Sequence, residues 1–498
     1  MRRSGVLMHI TSLPGAHGIG TMGKQAFAFV DFLKKAGQSC WQILPLTPTG
    51  YGDSPYQSCS TFAGNHYLID LDLLVEQGLL EQAEVESAEW GDNPCKVDFG
   101  AQYRSKLKVL RLAYARFVPN ADYEKFCREN SSWLGDYALF LALKSEYNGK
   151  PWYEWPDGLK HREAEAIWNA RCRLKDEIDF VCFVQYIFYS QWAALRSYAH
   201  ENNISIIGDV PIYVPLDSVD VWSNTELFQL NEDLSPKVVA GCPPDAFTEF
   251  GQLWGNPIYD WDKMKKDGYS WWLTRLAGAS RVYDVTRMDH FRGFEAYWAV
   301  PAGDKTAQNG HWVKGPAMDF INTVKRELPG IKMIAEDLGF LTPEVLQLRD
   351  ESGFPGMKVL GFAFDSREPS EYLPHNCIAN AVCYTGTHDN MTTRQWFDTS
   401  DQDAVDYACE YMNLDPKAPV WGVIRAAMGT TCDQCIVLMQ DLLELGGESR
   451  MNFPGTMTDA NWTWRAKEDI LSDELVRRLR RLTELYDRLG DQKETNEK

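Results

Sequence analysis

One seven-residue stretch, RMDHFRG at positions 287–293, constrains this chain more than any other. It follows a short, mostly apolar approach at 282–285 and carries two arginines, an aspartate and a histidine. A strand buried along its whole length has no partners for that many charges, whereas a strand that ends in a pocket does. Arg287 and Asp289 stand two apart, so on a strand they share a face. An arginine beside a carboxylate keeps it ionised at neutral pH. Two later stretches, MIAEDLG (333–339) and VCYTGTHDN (382–390), again place an acid just after a short apolar run.

The rest of the chain supplies a frame for such strand ends. Residues 5–10 (GVLMHI) read as a buried strand and 40–46 (CWQILPL) as a second. Between them lies a helix over about 24–36, with Ala26, Phe29, Val30 and Leu33 at helical spacing. This opening favours a parallel sheet. Further strands are expected at 204–214, 282–291, 331–339, 357–364 and 381–388, with 435–443 as the candidate eighth. Helices are expected at 180–202, 269–281 and 467–489, and from Thr342 and Pro343 as N-cap and first helical residue. Segment 70–175 is mostly helical and polar and is expected to form an inserted subdomain. Segment 215–268 reads as irregular chain, expected to be an inserted substrate loop, because loops this long in a compact domain are usually functional. The loop at 47–65 carries Tyr56, Gln57 and Phe62 and is either a packed omega loop or a ligand loop. Strands alternating with helices predict one α/β (β/α)8 TIM barrel over 1–498, with long insertions after strands 2 and 3. An open doubly wound sheet is the rival.

Several function classes are disfavoured. Fifty Lys and Arg against 70 Asp and Glu give a net charge of −20, which repels nucleic acid and anionic membranes. No apolar run approaches the roughly 20 residues of a membrane span. The start, MRRSGVLMHITSLPG, has too short an apolar run for a signal sequence, so a cytoplasmic protein is expected. Gly18, Gly20 and Gly23 match the dinucleotide fingerprint, but seven residues separate them from the strand, and no acid ends the second strand. Cys432 and Cys435 form a CxxC with no second pair near it in sequence, while structural zinc needs four ligands. The 18 tryptophans fit a large core or platforms for sugar rings.

Asp209, Asp289, Glu336 and Asp389 each end a predicted strand. In a parallel barrel all strand C-termini open on one face, so the four acids converge. Any one of them alone is better explained as an acid capping the next helix or paired with a lysine. Together, accompanied by Arg287, His290, Arg292, Asp337, His388 and Asn390, they suggest a site. Metal binding is disfavoured, since the arginines repel a cation. Glycosyl transfer suits them: a carboxylate nucleophile and a carboxylic acid lie about 5–5.5 Å apart in retaining enzymes. Arg287 would keep Asp289 ionised. Glu336 would need its pKa raised by nearby negative charge and partial desolvation.

RMDHFRGFEAYW (287–298), AEDLG (335–339) and THDN (387–390) resemble the corresponding segments of glycoside hydrolase family 77, the amylomaltases or 4-α-glucanotransferases. The resemblance extends to SLPGAHGIG (12–20), SPYQSCSTFAGN (54–65), GDVPIYV (208–214), PPDAF (243–247), GQLWGNPIYDW (251–261), PAGDKTAQNGHWVKGP (301–316), RMNFPGT (450–456) and NWTWR (461–465). It implies Asp289 as nucleophile, Glu336 as acid/base and Asp389 as transition-state stabiliser. Arg287 and His388 would contact the reacting sugar, with Asp209, Tyr56 and Asn390 nearby. Trp254, Asn256 and Phe247 would belong to a loop over the acceptor side, and Asn461 would be a substrate contact. The family commonly has an aromatic at the position of Ala246, which predicts an altered grip on longer donors. The implied substrates are α-1,4-glucans and maltooligosaccharides, with glucose as an acceptor. No cofactor and no metal are implied. A hydrolase and a non-catalytic glucan-binding protein are the alternatives.

Overall fold

The computed structural model describes residues 2–50, 52–244, 248–339, 341–364 and 370–490. In chain order its strands are β1 (Arg3–Leu7), β2 (Cys40–Gln42), β3 (Ser205–Pro211), β4 (Val238–Cys242), β5 (Gln252–Pro257), β6 (Val285–Asp289), β7 (Ala296–Pro301), β8 (His311–Lys314), β9 (Met333–Ala335), β10 (Gly356–Val359), β11 (Ala381–Tyr384) and β12 (Gln434–Leu438). Eight of them form one parallel sheet in the order β10-β11-β12-β1-β2-β3-β6-β9. The Ala335 N–H donates to the Pro355 carbonyl at 2.9 Å and joins the two ends. The sheet is the wall of a (β/α)8 barrel, and the open-sheet rival falls.

The barrel follows from strands that are apolar on both faces, as helix-covered parallel strands must be. Val6, Trp41, Ile206, Met288 and Val437 point outward into the main core with the helices. Leu7, Ile207, Ile334, Val382, Tyr384 and Ile436 fill the interior. A two-residue step keeps a side chain on the same face. One step beyond Ile207 is Asp209, beyond Val285 are Arg287 and Asp289, and beyond Ile334 is Glu336. The interior therefore changes from apolar to charged toward the C-terminal ends, where barrel active sites lie.

The strands are shorter than expected. The second stops at Gln42 rather than 46, the fifth at Ala335 rather than 339, and the seventh at Tyr384 rather than 388. Beyond these points the chain leaves the ladder and presents polar groups to the bowl. The eighth ends at Leu438 and turns into the short helix Met439–Leu442. The first begins at Arg3, and Ile10–Ser12 is a 3-10 turn.

The reading of 215–268 as irregular chain needs correction. It contains β4 and β5, which join β7 and β8 in a second, antiparallel sheet of order β5-β4-β7-β8. These strands lack a clean alternating pattern, and β5 contains Gly255 and Pro257, so local periodicity did not reveal them. Between β2 and β3 the chain is largely helical, including Phe99–Arg116, Leu134–Glu146 and the 27-residue helix Lys175–Glu201. No helix among the described residues is long and apolar enough to cross a membrane.

Trp41, Trp152, Trp222 and Trp272 are fully buried and fill the core, while Trp254 packs against the His290 ring and Trp462 against the His388 ring. The CxxC also has company that its sequence neighbourhood concealed. Cys383 is the cross-strand partner of Cys435. Thr431 donates to the Cys377 carbonyl at 2.6 Å, bringing a fourth buried thiol alongside. Yet no group of three or more His, Cys, Asp or Glu among the described residues is arranged to hold a metal ion.

Candidate active site

Register sets the centre of the bowl. β3 and β6 pair so that Asp209 lies opposite Arg287, and Pro211 opposite Asp289. Arg287 Nη1 donates to both Asp209 oxygens, at 2.9 and 2.7 Å, and to Asp289 Oδ1 at 2.9 Å. Arg287 and Asp209 are 3% and 1% exposed, so this pair is desolvated, while the Asp289 side chain is 29% exposed to the bowl. Burial alone would lower the guanidinium, but the charges of Asp209 and Asp289 outweigh it and hold Arg287 well above its usual range. Burial pushes the Asp209 carboxyl up, and Arg287 pulls it back. Tyr56, from the 47–65 loop, donates its hydroxyl to Asp209 Oδ2 at 2.9 Å. That loop is thus tied to the bowl.

Glu336 sits one residue past β9. Its Oε2 accepts the His290 N–H at 2.6 Å, and its Oε1 accepts the Leu338 N–H at 2.9 Å. Its own N–H donates to the Met288 carbonyl, and its carbonyl accepts from Phe291 N–H, both at 3.1 Å. The geometry depends on His290, whose φ of 52° lies in the left-handed region. That turn breaks the strand directly after Asp289 and aims the His290 N–H at Glu336. Burial pushes the Glu336 carboxyl up to about 8, with Arg287 opposing and Asp289 adding to the rise. A carboxyl in this state carries a proton at neutral pH.

His388 and Asp389 follow β11. His388 is 4% exposed, and its ring stacks on Tyr56 with centroids 5.1 Å apart and planes 16° apart. Burial lowers its pKa, with Asp389 opposing, so it is a neutral imidazole at pH 7. Its Nε2 lies 3.4 Å from Asp389 Oδ2. Trp462 closes the aromatic cluster at 5.8 Å from both Tyr56 and His388. Trp254, on β5, meets the His290 imidazole edge-on at 4.7 Å and 89°. Asn256 is buried two residues further along the same strand.

Two predicted contacts have local work. Asn390 Oδ1 accepts from the N–H and hydroxyl of Thr387, both at 2.8 Å, and closes its own turn. Asn461 Oδ1 accepts from Phe453 N–H at 3.2 Å and its Nδ2 donates to the Thr456 carbonyl at 2.9 Å, bracing the loop before Trp462. Phe247 and Ala246 lie outside the described residues.

Sequence reasoning missed three groups that stand at the bowl. Asn452 donates to Asp389 Oδ1 at 2.6 Å. Tyr213 lies 6.2 Å from Trp254 and 6.5 Å from His290. Trp462 shares the cluster with His388. All three occur in the segments RMNFPGT, GDVPIYV and NWTWR, but no spacing there singles them out.

This chain is similar to known proteins along almost its whole length. The family described as 4-alpha-glucanotransferase, glycoside hydrolase 77, matches residues 8–471. A 4-alpha-glucanotransferase of Clostridium butyricum is 50% identical over 486 residues, spanning 97% of this chain and 100% of that protein. One from Thermus thermophilus is 44% identical over 503 residues, spanning 98% and 99%. The amylomaltase of Streptococcus agalactiae, solved in complex with acarbose, superposes with a TM-score of 0.95 at 41% identity, covering 98% of this chain and 100% of that one. With strand order, bowl and family match in agreement, the chain belongs to the glycoside hydrolase 77 family of 4-alpha-glucanotransferases.

Proposed function

We infer that the protein moves a segment of an α-1,4-glucan onto the 4-hydroxyl of glucose or a maltooligosaccharide, by a retaining double displacement. One observation carries this reading. Asp289, paired with Arg287, stands one residue from the N–H that pins a carboxyl pushed up to about 8, Glu336. A nucleophile and a proton donor need opposite protonation states at one pH, and different environments provide them.

Asp289 attacks the anomeric carbon while Glu336 gives its proton to the leaving oxygen. Glu336, now a base, takes the proton of the incoming 4-hydroxyl, which then displaces Asp289 with net retention. Asp389 offers its charge to the oxocarbenium-like transition state, and Arg287 and His388 hold sugar hydroxyls. The Tyr56–His388 pair offers an aromatic face at the reacting sugar, Trp254 one toward the acceptor. We read segment 215–268 and the antiparallel sheet it enters as the acceptor-side cover, where a bound sugar outcompetes water. Segment 70–175 is read as a helical support for the loop that carries Tyr56. The twelve free cysteines suit the reducing cytoplasm.

Incubation with maltotriose alone tests the reading. A ladder of longer maltooligosaccharides plus glucose is expected, with total reducing ends nearly constant. Climbing reducing ends with only glucose and maltose would make the protein a hydrolase.

A further inference from the structure

The loop after the last barrel strand crosses the mouth and returns to Asp389. Asn452 Nδ2 donates to Asp389 Oδ1 at 2.6 Å, and the Asn452 N–H donates to the His388 carbonyl at 3.1 Å. Arg450 braces the same junction: Nη2 donates to the Asp389 carbonyl at 2.6 Å and Nε to the Asn452 carbonyl at 2.8 Å. Its guanidinium lies 4.5 Å over the Phe453 ring. The Asp389 side chain is 43% exposed, so packing does not fix it. Its orientation depends on two polar neighbours, Asn452 at Oδ1 and His388 at Oδ2.

We propose that Asn452 is a positioning residue for the reaction, holding the Asp389 carboxylate in the orientation that faces the transition state. The proposal rests on the reading of Asp389 as the stabilising acid. An amide nitrogen only donates, so the contact favours the carboxylate anion and fixes one lone-pair direction. Arg450 grips main-chain oxygens and so organises Asn452 and the turn, leaving the carboxylate to the amide. Besides Arg450, the charged or titratable groups beside Asp389 are His388 and Tyr56, which in turn face Arg287 and Asp289. These belong to the barrel and the 47–65 loop; Asn452 reaches the other carboxylate oxygen, Oδ1, from the loop after β12.

Asn452→Asp is close to isosteric and places a second carboxyl against Asp389. Two carboxyls at that distance share a proton, so Asp389 loses its own only at higher pH. The acidic limb of kcat against pH on maltotriose is expected to move up by about one unit or more. At pH 7 kcat is expected to fall about 10- to 100-fold, the loss of one hydrogen bond to a charged group, with KM within about twofold. Asn452→Ser removes the amide without adding charge; its kcat is expected to fall over a similar range, with the acidic limb moved up less than in Asn452→Asp. A purely structural role would lower the unfolding temperature but leave the limb in place in Asn452→Asp. Wild-type kcat in both variants overturns the proposal, and so does a wild-type limb in Asn452→Asp. A raised KM with unchanged kcat also overturns it, by making Asn452 a sugar ligand. If Asn452→Asp does not fold, the kcat and KM of Asn452→Ser decide alone. Asp389→Asn is measured beside them. If it retains activity, the reading of Asp389 fails. If it is inactive while both Asn452 variants behave as wild type, only the positioning role fails.

Discussion

The His290 N–H donates to Glu336 Oε2 at 2.6 Å, from the residue that directly follows Asp289. The two acids of the proposed mechanism are therefore coupled through one left-handed turn. Movement of the Asp289 strand end moves the grip on Glu336 as well.

Glu336 is expected to set the alkaline limb of activity. Its carboxyl is pushed up to about 8 by burial, so the proton needed for the leaving group is present at neutral pH and lost above. kcat/KM on maltotriose should fall as pH rises through about 8 in the wild type. Glu336→Gln should lose most activity on maltotriose but retain the first step with a donor whose leaving group needs no proton, such as maltosyl fluoride. Equal losses on both donors would remove Glu336 from the acid role. The same group affects stability. Its folded value exceeds the ordinary 4.5, so between those values the folded protein binds the proton more tightly than the unfolded chain. That contribution is complete below about 4.5 and lost as pH rises through about 8, which urea titrations across the window can measure.

Arg287→Met should be among the most damaging single changes to the fold. It leaves the buried Asp209 and the neighbouring Asp289 without their shared cation. Breaking one side of a buried ion pair costs about 3–5 kcal/mol. Denaturant unfolding should show a loss in that range together with loss of turnover. A loss below about 1 kcal/mol would mean the triad relaxes or takes up a proton at little cost.

Tyr56→Phe and Tyr56→Ala separate the two functions of one side chain. The first removes only the hydroxyl that reaches Asp209 Oδ2 and keeps the ring on His388. A bond to a charged group is worth about 1.5–3 kcal/mol, so kcat/KM should drop about 10- to 100-fold. The second also removes the stack and should fall further, chiefly through KM. Identical constants for the two variants would show that the ring does nothing for the sugar.

Trp254→Ala should change what accepts the glucanyl group more than how fast it forms. The indole stands edge-on to His290, the residue after Asp289, the proposed nucleophile. Removing it exposes the intermediate to water and weakens the acceptor's hold. The ratio of new reducing ends to maltooligosaccharide ladder is expected to rise several-fold. An unchanged ratio would move the exclusion of water elsewhere in the 215–268 segment.

Local chemistry made the barrel and its acids readable. Short apolar runs broken by helical periodicity specify parallel strands with covered faces. A charge ending such a run can be satisfied only at a strand end, so Asp209, Asp289 and Glu336 stood out, and the two-residue step paired Arg287 with Asp289. What stayed hidden depends on chain segments far apart in sequence. Arg287 reaches Asp209 because β3 and β6 settle in one register, and a shift by one residue would turn both side chains to the other face. Asn452 meets Asp389 across 63 residues of sequence because the barrel closes and its last loop folds back over the mouth. The antiparallel sheet around Trp254 and the gathering of Cys377, Cys383, Cys432 and Cys435 have the same origin. Period and composition report which face of a strand or helix is apolar. They carry no record of which strand lies beside which, and that arrangement arises only when the whole sheet closes on itself.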